Sequence, residues 1–144
     1  MNNREFGYFG EGVACEYLKS KGFEIVERNY YASGGELDVI ARDESRIVFV
    51  EVKTRYNGQS LRYGRPASAV DARKQTAVAT AAKQYIFDSK TTLQPRIDVI
   101  EVIVSAHAAE NGGLWYFIDE INHIENAVIS SPSVRYGSRD RRFN

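Results

Sequence analysis

The chain has 144 residues, 43% of them hydrophobic and 26% charged, with 19 basic side chains balanced by 19 acidic ones. This is the composition of an ordinary soluble domain with room for a proper core, and the zero net charge argues against a protein coated in positive charge. No apolar run approaches the roughly 20 residues that a membrane-spanning helix needs.

The N-terminal stretch "MNNREFGYFGEGVACEYLKSKG" lacks the uninterrupted apolar core of a signal peptide. With Cys15 as the single cysteine, no intrachain disulfide can form, and a reducing, cytoplasmic setting is expected. Within this stretch, Phe6, Phe9, Gly10, Val13, Ala14, Tyr17 and Leu18 recur at helical spacing. They predict a helix over residues 4–21, with Cys15 as a small packing residue and Gly22 as the stop.

Strands follow at 23–30 and 36–42, separated by the turn "SGG", and a third at 46–53 after the tight turn "DES". The second and third are close enough to form an antiparallel hairpin. Residues 54–67 read as a glycine-punctuated loop, and 68–88 as a long, alanine-rich helix. Further strands are expected at 96–104 and 114–121, with 122–129 either a last helical turn or a short extension. The order α-β-β-β-α-β-β predicts an α/β fold with a mixed central sheet of about five strands flanked by helices. The second helix then serves as a crossover between parallel neighbours. Residues 1–129 are expected to form one domain. Residues 130–144 form a basic tail, expected to be disordered alone, whose Arg135, Arg139, Arg141 and Arg142 could add non-specific phosphate affinity.

The third strand carries the chemical signal. In "VFVEVKTR", strand alternation puts Ile47, Phe49, Glu51 and Lys53 on one face and Val48, Val50 and Val52 on the other. A carboxylate that continues a buried apolar face needs a partner, a metal or water. A bare Glu-x-Lys reads most simply as an ion pair at a strand end. Here Asp38 lies 13 residues upstream, and the hairpin brings it close to Val50 and Glu51. Two carboxylates and an ammonium then converge at one end of the sheet. Such carboxylates suit a hard divalent ion, Mg²⁺ or Mn²⁺, which activates water and stabilises charge on a phosphoryl oxygen. Lys53 is placed to orient the nucleophile or to stabilise the transition state.

Leu37-Asp38 followed by Glu51-Val52-Lys53 resembles the PD-(D/E)xK nuclease pattern, with leucine where that pattern has proline. The segments "GEGVACEYLKSKGFEIVERNY", "GGELDVIARDESRIVFVEVKTR", "YGRPASAV" and "RIDVIEVIV" together resemble the YraN-like family of uncharacterised bacterial proteins, in the right order over most of residues 7–104. The resemblance implies a restriction-endonuclease-like core with Asp38, Glu51 and Lys53 as catalytic residues and Asp38 and Glu51 as metal ligands. In the Holliday-junction resolvases of that superfamily an acid on the first helix joins the site, and Glu11 matches it. Spacing alone leaves Glu11 equally a solvated helix glutamate. Glu36 is either an added ligand or a solvent-facing acid at the strand start.

From Lys53 to Lys74 the chain carries a net charge of +5, six bases against Asp71. Arg55, Tyr56, Arg62, Tyr63 and Arg65 interleave cations with rings, a composition suited to phosphates and exposed bases. Lys74 is either a phosphate contact or an ordinary surface lysine. Arg96 and Asp98 read as structural ion-pairing residues, with each other or with the hairpin, and His107 and His123 as isolated residues without metal-ligand spacing. There is no Gly-x-Ser-x-Gly elbow and no phosphate-binding glycine loop. The expectation is a metal-dependent nuclease with a nucleic-acid partner, in the first instance DNA, branched DNA included, and no membrane partner. A homodimer would suit a two-fold symmetric junction. The alternative is a binding module that retains the nuclease fold without cutting.

Overall fold

The computed structural model describes residues 1–58 and 72–127. Helix α1 (Asn3–Ser20) opens on a capping box: the Glu5 N–H donates to the Asn2 side chain at 2.8 Å, and the Asn2 N–H donates to the Glu5 carboxylate at 2.9 Å. It ends where Gly22 takes a positive φ of 97°. Strands β1 (Glu24–Ala32), β2 (Gly35–Arg42) and β3 (Arg46–Tyr56) follow, then helix α2 (Ala72–Ser89) and strands β4 (Gln94–Ala108) and β5 (Leu114–Ile124). Residues 122–124 extend β5, so the option of a last helical turn there is not the one taken. The first four residues of the expected second helix, the loop residues Arg62, Tyr63 and Arg65, and the basic tail lie outside the described residues.

The five strands form one sheet in the order β1-β2-β3-β4-β5, antiparallel except for the parallel pair β3–β4. This is the mixed sheet that the element order predicted, consistent with the restriction-endonuclease-like core that the resemblance implied. Turn chemistry sets the registers. Ser33 and Gly34, with φ of 53° and 78°, form the two-residue turn joining β1 to β2; its twist matches that of the strands. Asp43 Oδ1 accepts the N–H groups of Ser45 and Arg46 at 2.9 and 2.8 Å, closing the β2–β3 turn. Those bonds also hold the Asp43 carboxyl below its ordinary range. The resulting register places Arg42 opposite Ile47 and Val39 opposite Val50.

Each sheet face carries its own core. On one face Val39, Ala41, Val48, Val50, Ile100, Val102 and Val104 pack against Phe6, Ala14, Cys15 and Leu18 of α1. On the other, Ile40, Ile47 and Phe49 pack with Leu37 against Val78, Ala81 and Ala82 of α2. The helices sit close because glycine and alanine let them. A Cβ on Gly10 would overlap Thr54 Oγ1, and one on Gly35 would overlap the Ala77 carbonyl.

Candidate active site

β3 is divided along its length as its alternation demands: Ile47 and Phe49 enter the α2-side core, and Glu51 and Lys53 continue that same face. Glu51 is only 5% exposed. Lys53 Nζ lies 3.6 Å from Glu51 Oε2. The ammonium stands at the more open end of the pair, its side chain 25% exposed.

β2 supplies the second acid through an irregularity. Val39 and Ala41 face α1, whereas Ile40 and Leu37 face α2, so the alternation of β2 slips by one residue at Asp38. The β2–β3 ladder ends at Val39–Val50, and two residues further along β3 the Val52 N–H donates to Asp38 Oδ2 at 2.8 Å. The Asp38 carboxylate thus occupies the opening between the diverging strands, beside Glu51, and is itself buried, 8% exposed. Asp38 thus stands at the end of β3 where Glu51 and Lys53 pair.

Glu11 and Glu36 form a neighbouring group. The Asn29 amide nitrogen, oriented by its partners, donates to Glu36 Oε2 at 3.2 Å and to Glu11 Oε1 at 3.3 Å. Arg28 Nη2 stands 3.6 Å from Glu11 Oε1. Burial pushes the Glu11 carboxyl above its ordinary range against the pull of Asn29 and Arg28, and the like charge of Glu36 adds to the rise. This pair lines a cleft of about 880 Å³ with Tyr8, Tyr31 and Arg4. Neither the solvated-glutamate nor the solvent-facing option describes Glu11 and Glu36 in full, because each has a defined partner in Asn29. Among the described residues no three His, Cys, Asp or Glu side chains form a group that would hold a metal by themselves. Mg²⁺ does not require that: one or two carboxylates suffice, with water and substrate phosphate completing its shell. Asp38 and Glu51 are buried carboxylates of the kind such an ion takes.

The basic and aromatic candidates divide. Arg55 is half-buried, its Nε 3.1 Å from Glu101 Oε2. Tyr56 stacks on Phe6 of α1, with centroids 4.3 Å apart and planes 15° from parallel, and packs on the α1-side core. Its ring is spent on packing the helix rather than presented for a base. Lys74 falls in the first turn of α2.

Two features escape the sequence reading. Glu101 is fully buried on β4, opposite Lys53 in the parallel register, and accepts a hydrogen bond from Asn122 Nδ2 at 3.1 Å. The signal was a glutamate inside the apolar run "VIEVIV", on the strand face shared with Val99 and Ile103. His123, expected to stand isolated, does not: its Nε2 lies 2.7 Å from Asp98 Oδ2 and its Nδ1 3.1 Å from the Tyr17 hydroxyl. Arg96 donates twice to Asp98 at 2.8 Å, the structural ion pair expected of them, and the Asn126 N–H donates at 2.9 Å. Burial raises the Asp98 carboxyl, but the bonds from His123, Arg96 and Asn126 outweigh it and hold the group below its ordinary value. His107 and Ser105 are paired at 3.1 Å, with the Ser105 hydroxyl donating to Asp119 at 3.0 Å. The serine, not the histidine, sits in the middle, so this is no hydrolase triad.

The model of the uncharacterised protein family UPF0102 matches residues 10–102. A UPF0102 protein of Caldanaerobacter subterraneus subsp. tengcongensis is 39% identical over 128 residues, covering 88% of this chain and 97% of its own. One from Clostridioides difficile is 42% identical over 129 residues, covering 88% and 99%. One from Clostridium botulinum is 43% identical over 105 residues, covering 72% and 83%. No helix among the described residues is long and apolar enough to cross a membrane.

Proposed function

The chain belongs to the uncharacterised protein family UPF0102, and from that footing we propose that it is a metal-dependent nuclease hydrolysing phosphodiester bonds in DNA, branched DNA among its candidate substrates. The observation that carries this reading is the buried Asp38 carboxylate set into the opening between β2 and β3, beside Glu51 and its partner Lys53. A module that only binds nucleic acid has no use for clustered acids facing a polyanion, since they repel phosphate. Asp38 and Glu51 would hold Mg²⁺ or Mn²⁺, which when bound supplies an activated water and charge stabilisation at the phosphoryl oxygen. The Val52 N–H fixes one Asp38 oxygen and so orients the other. Lys53, tethered to Glu51, is positioned to orient the attacking water or to offset charge on the scissile phosphate. Two such sites in a homodimer would match a two-fold symmetric junction.

The test is a calorimetric titration of Mg²⁺ and Mn²⁺ into the wild type and the double variant Asp38→Asn plus Glu51→Gln. Cleavage of linear, single-stranded and four-way-junction DNA is assayed alongside. Metal binding and cleavage are expected in the wild type, and both are expected to vanish in the double variant while the fold persists. Tight DNA binding without metal uptake, unaffected by the two substitutions, would replace the nuclease reading with that of a binding module.

A further inference from the structure

Glu101 is an expensive residue to keep where it is. Its side chain is 1% exposed, on the sheet face that carries Glu51 and Lys53 and level with Lys53 across the β3–β4 pair. Oε1 accepts from Asn122. Oε2 receives no well-aligned hydrogen bond among the described residues and faces Arg55 Nε at 3.1 Å. A charge so placed depends on its counter-ion, so Arg55 is held before any substrate arrives. The contact uses Nε. The four N–H groups on the two Nη atoms of Arg55 make no hydrogen bond with the described residues, and the side chain remains 22% exposed.

Resting on the nuclease reading of this strand end, we propose that Glu101 is a positioning residue that holds Arg55 by ion pairing so that its Nη groups bind a backbone phosphate adjacent to the one at Lys53. Glu51, Lys53 and Arg55 share one strand face at two-residue intervals, about 7 Å apart along β3. The face therefore runs from carboxylate to ammonium to guanidinium, the order needed to seat a metal, a scissile phosphate and its neighbour. Ordering the guanidinium in advance removes an entropic cost from binding, and the planar fork suits phosphate better than a lysine would. A merely structural Arg55–Glu101 pair would stabilise the fold and leave the salt dependence of DNA binding unchanged.

The experiment measures binding of a fluorescent duplex and a four-way junction by anisotropy between 50 and 200 mM salt. Its background is Asp38→Asn plus Glu51→Gln, where neither cleavage nor carboxylate repulsion intervenes. Adding Arg55→Ala is expected to reduce the slope of log affinity against log salt by about one, a contribution of roughly 3.5-fold over that salt range. Arg55→Lys should restore the slope but not the full affinity. Glu101→Gln, close in shape and able to keep the Asn122 contact, should weaken binding several-fold with Arg55 still present. Slopes and affinities unchanged in Arg55→Ala, or a parent that binds no DNA, would overturn the proposal. If Arg55→Ala does not fold, the lysine and glutamine variants decide it: unchanged affinity in both overturns it. The outcomes separate from the nuclease reading. A wild type that neither takes up metal nor cleaves, with the slope still changed by Arg55→Ala, removes the nuclease and leaves the phosphate contact. Cleavage with no Arg55 effect does the reverse.

Discussion

Replacing Asp98 with alanine should destabilise the protein more than any single change at the candidate active site. Asp98 is completely buried and takes four hydrogen bonds: two from Arg96 at 2.8 Å, one from His123 at 2.7 Å and one from the Asn126 N–H at 2.9 Å. An ionised carboxylate only accepts, so His123 carries its proton on Nε2, and a neutral ring leaves Nδ1 to accept from the Tyr17 hydroxyl. Asp98→Ala leaves the Arg96 guanidinium, whose side chain is 14% exposed, with only the exposed Glu125 carboxylate at 3.8 Å, and breaks the link from β4 through β5 to α1. Removing one partner of a buried pair costs about 3–5 kcal/mol. At about 3 °C per kcal/mol for a chain of this size, melting should fall by roughly 10–15 °C. The pH dependence has a defined sign. The folded carboxyl titrates below its ordinary value, so its contribution is complete above the unfolded value of about 4. It is lost as pH falls through the folded value. Thermal melts followed by circular dichroism from pH 8 to pH 3 should show a full gap between wild type and variant at neutrality, narrowing below about pH 4. A loss under 1 kcal/mol at pH 7, or a gap that does not change with pH, would refute the reasoning.

Gly10→Ala reverses the usual helix rule. Alanine normally gains about 1 kcal/mol over glycine in a helix, but here its Cβ meets Thr54 Oγ1, and a net cost of roughly 1–3 kcal/mol is expected from denaturant melts. A stabilised variant would show that α1 does not cross β3 this closely. Cys15 is buried in the α1-side core, and burial raises its thiol pKa, so at pH 8 it should react with a thiol reagent far more slowly in the native protein than in guanidinium. Equal rates would mean that α1 does not stay docked.

The local elements, and the strand end where the three candidate residues lie, were legible in the sequence because they depend on short-range rules. Apolar spacing marked both helices, and "DES" marked a turn whose Asp43 bonds set the β2–β3 register. From that register and the two-residue period of β3, the approach of Asp38 to the strand end carrying Glu51 and Lys53 followed; the slip in β2 that lets its carboxylate take the Val52 N–H did not. The remainder depended on strands brought together from far apart in the chain. Parallel pairing of β3 with β4 puts Glu101 level with Lys53 and within reach of Arg55, and the pairing of β4 with β5 brings His123 to Asp98. Packing of α1 on the sheet draws Tyr56 under Phe6 and Glu11 toward Asn29 and Glu36. Periodicity assigns a side chain to a face. Only the register between distant strands, and the helix laid across them, decides which charge it meets there.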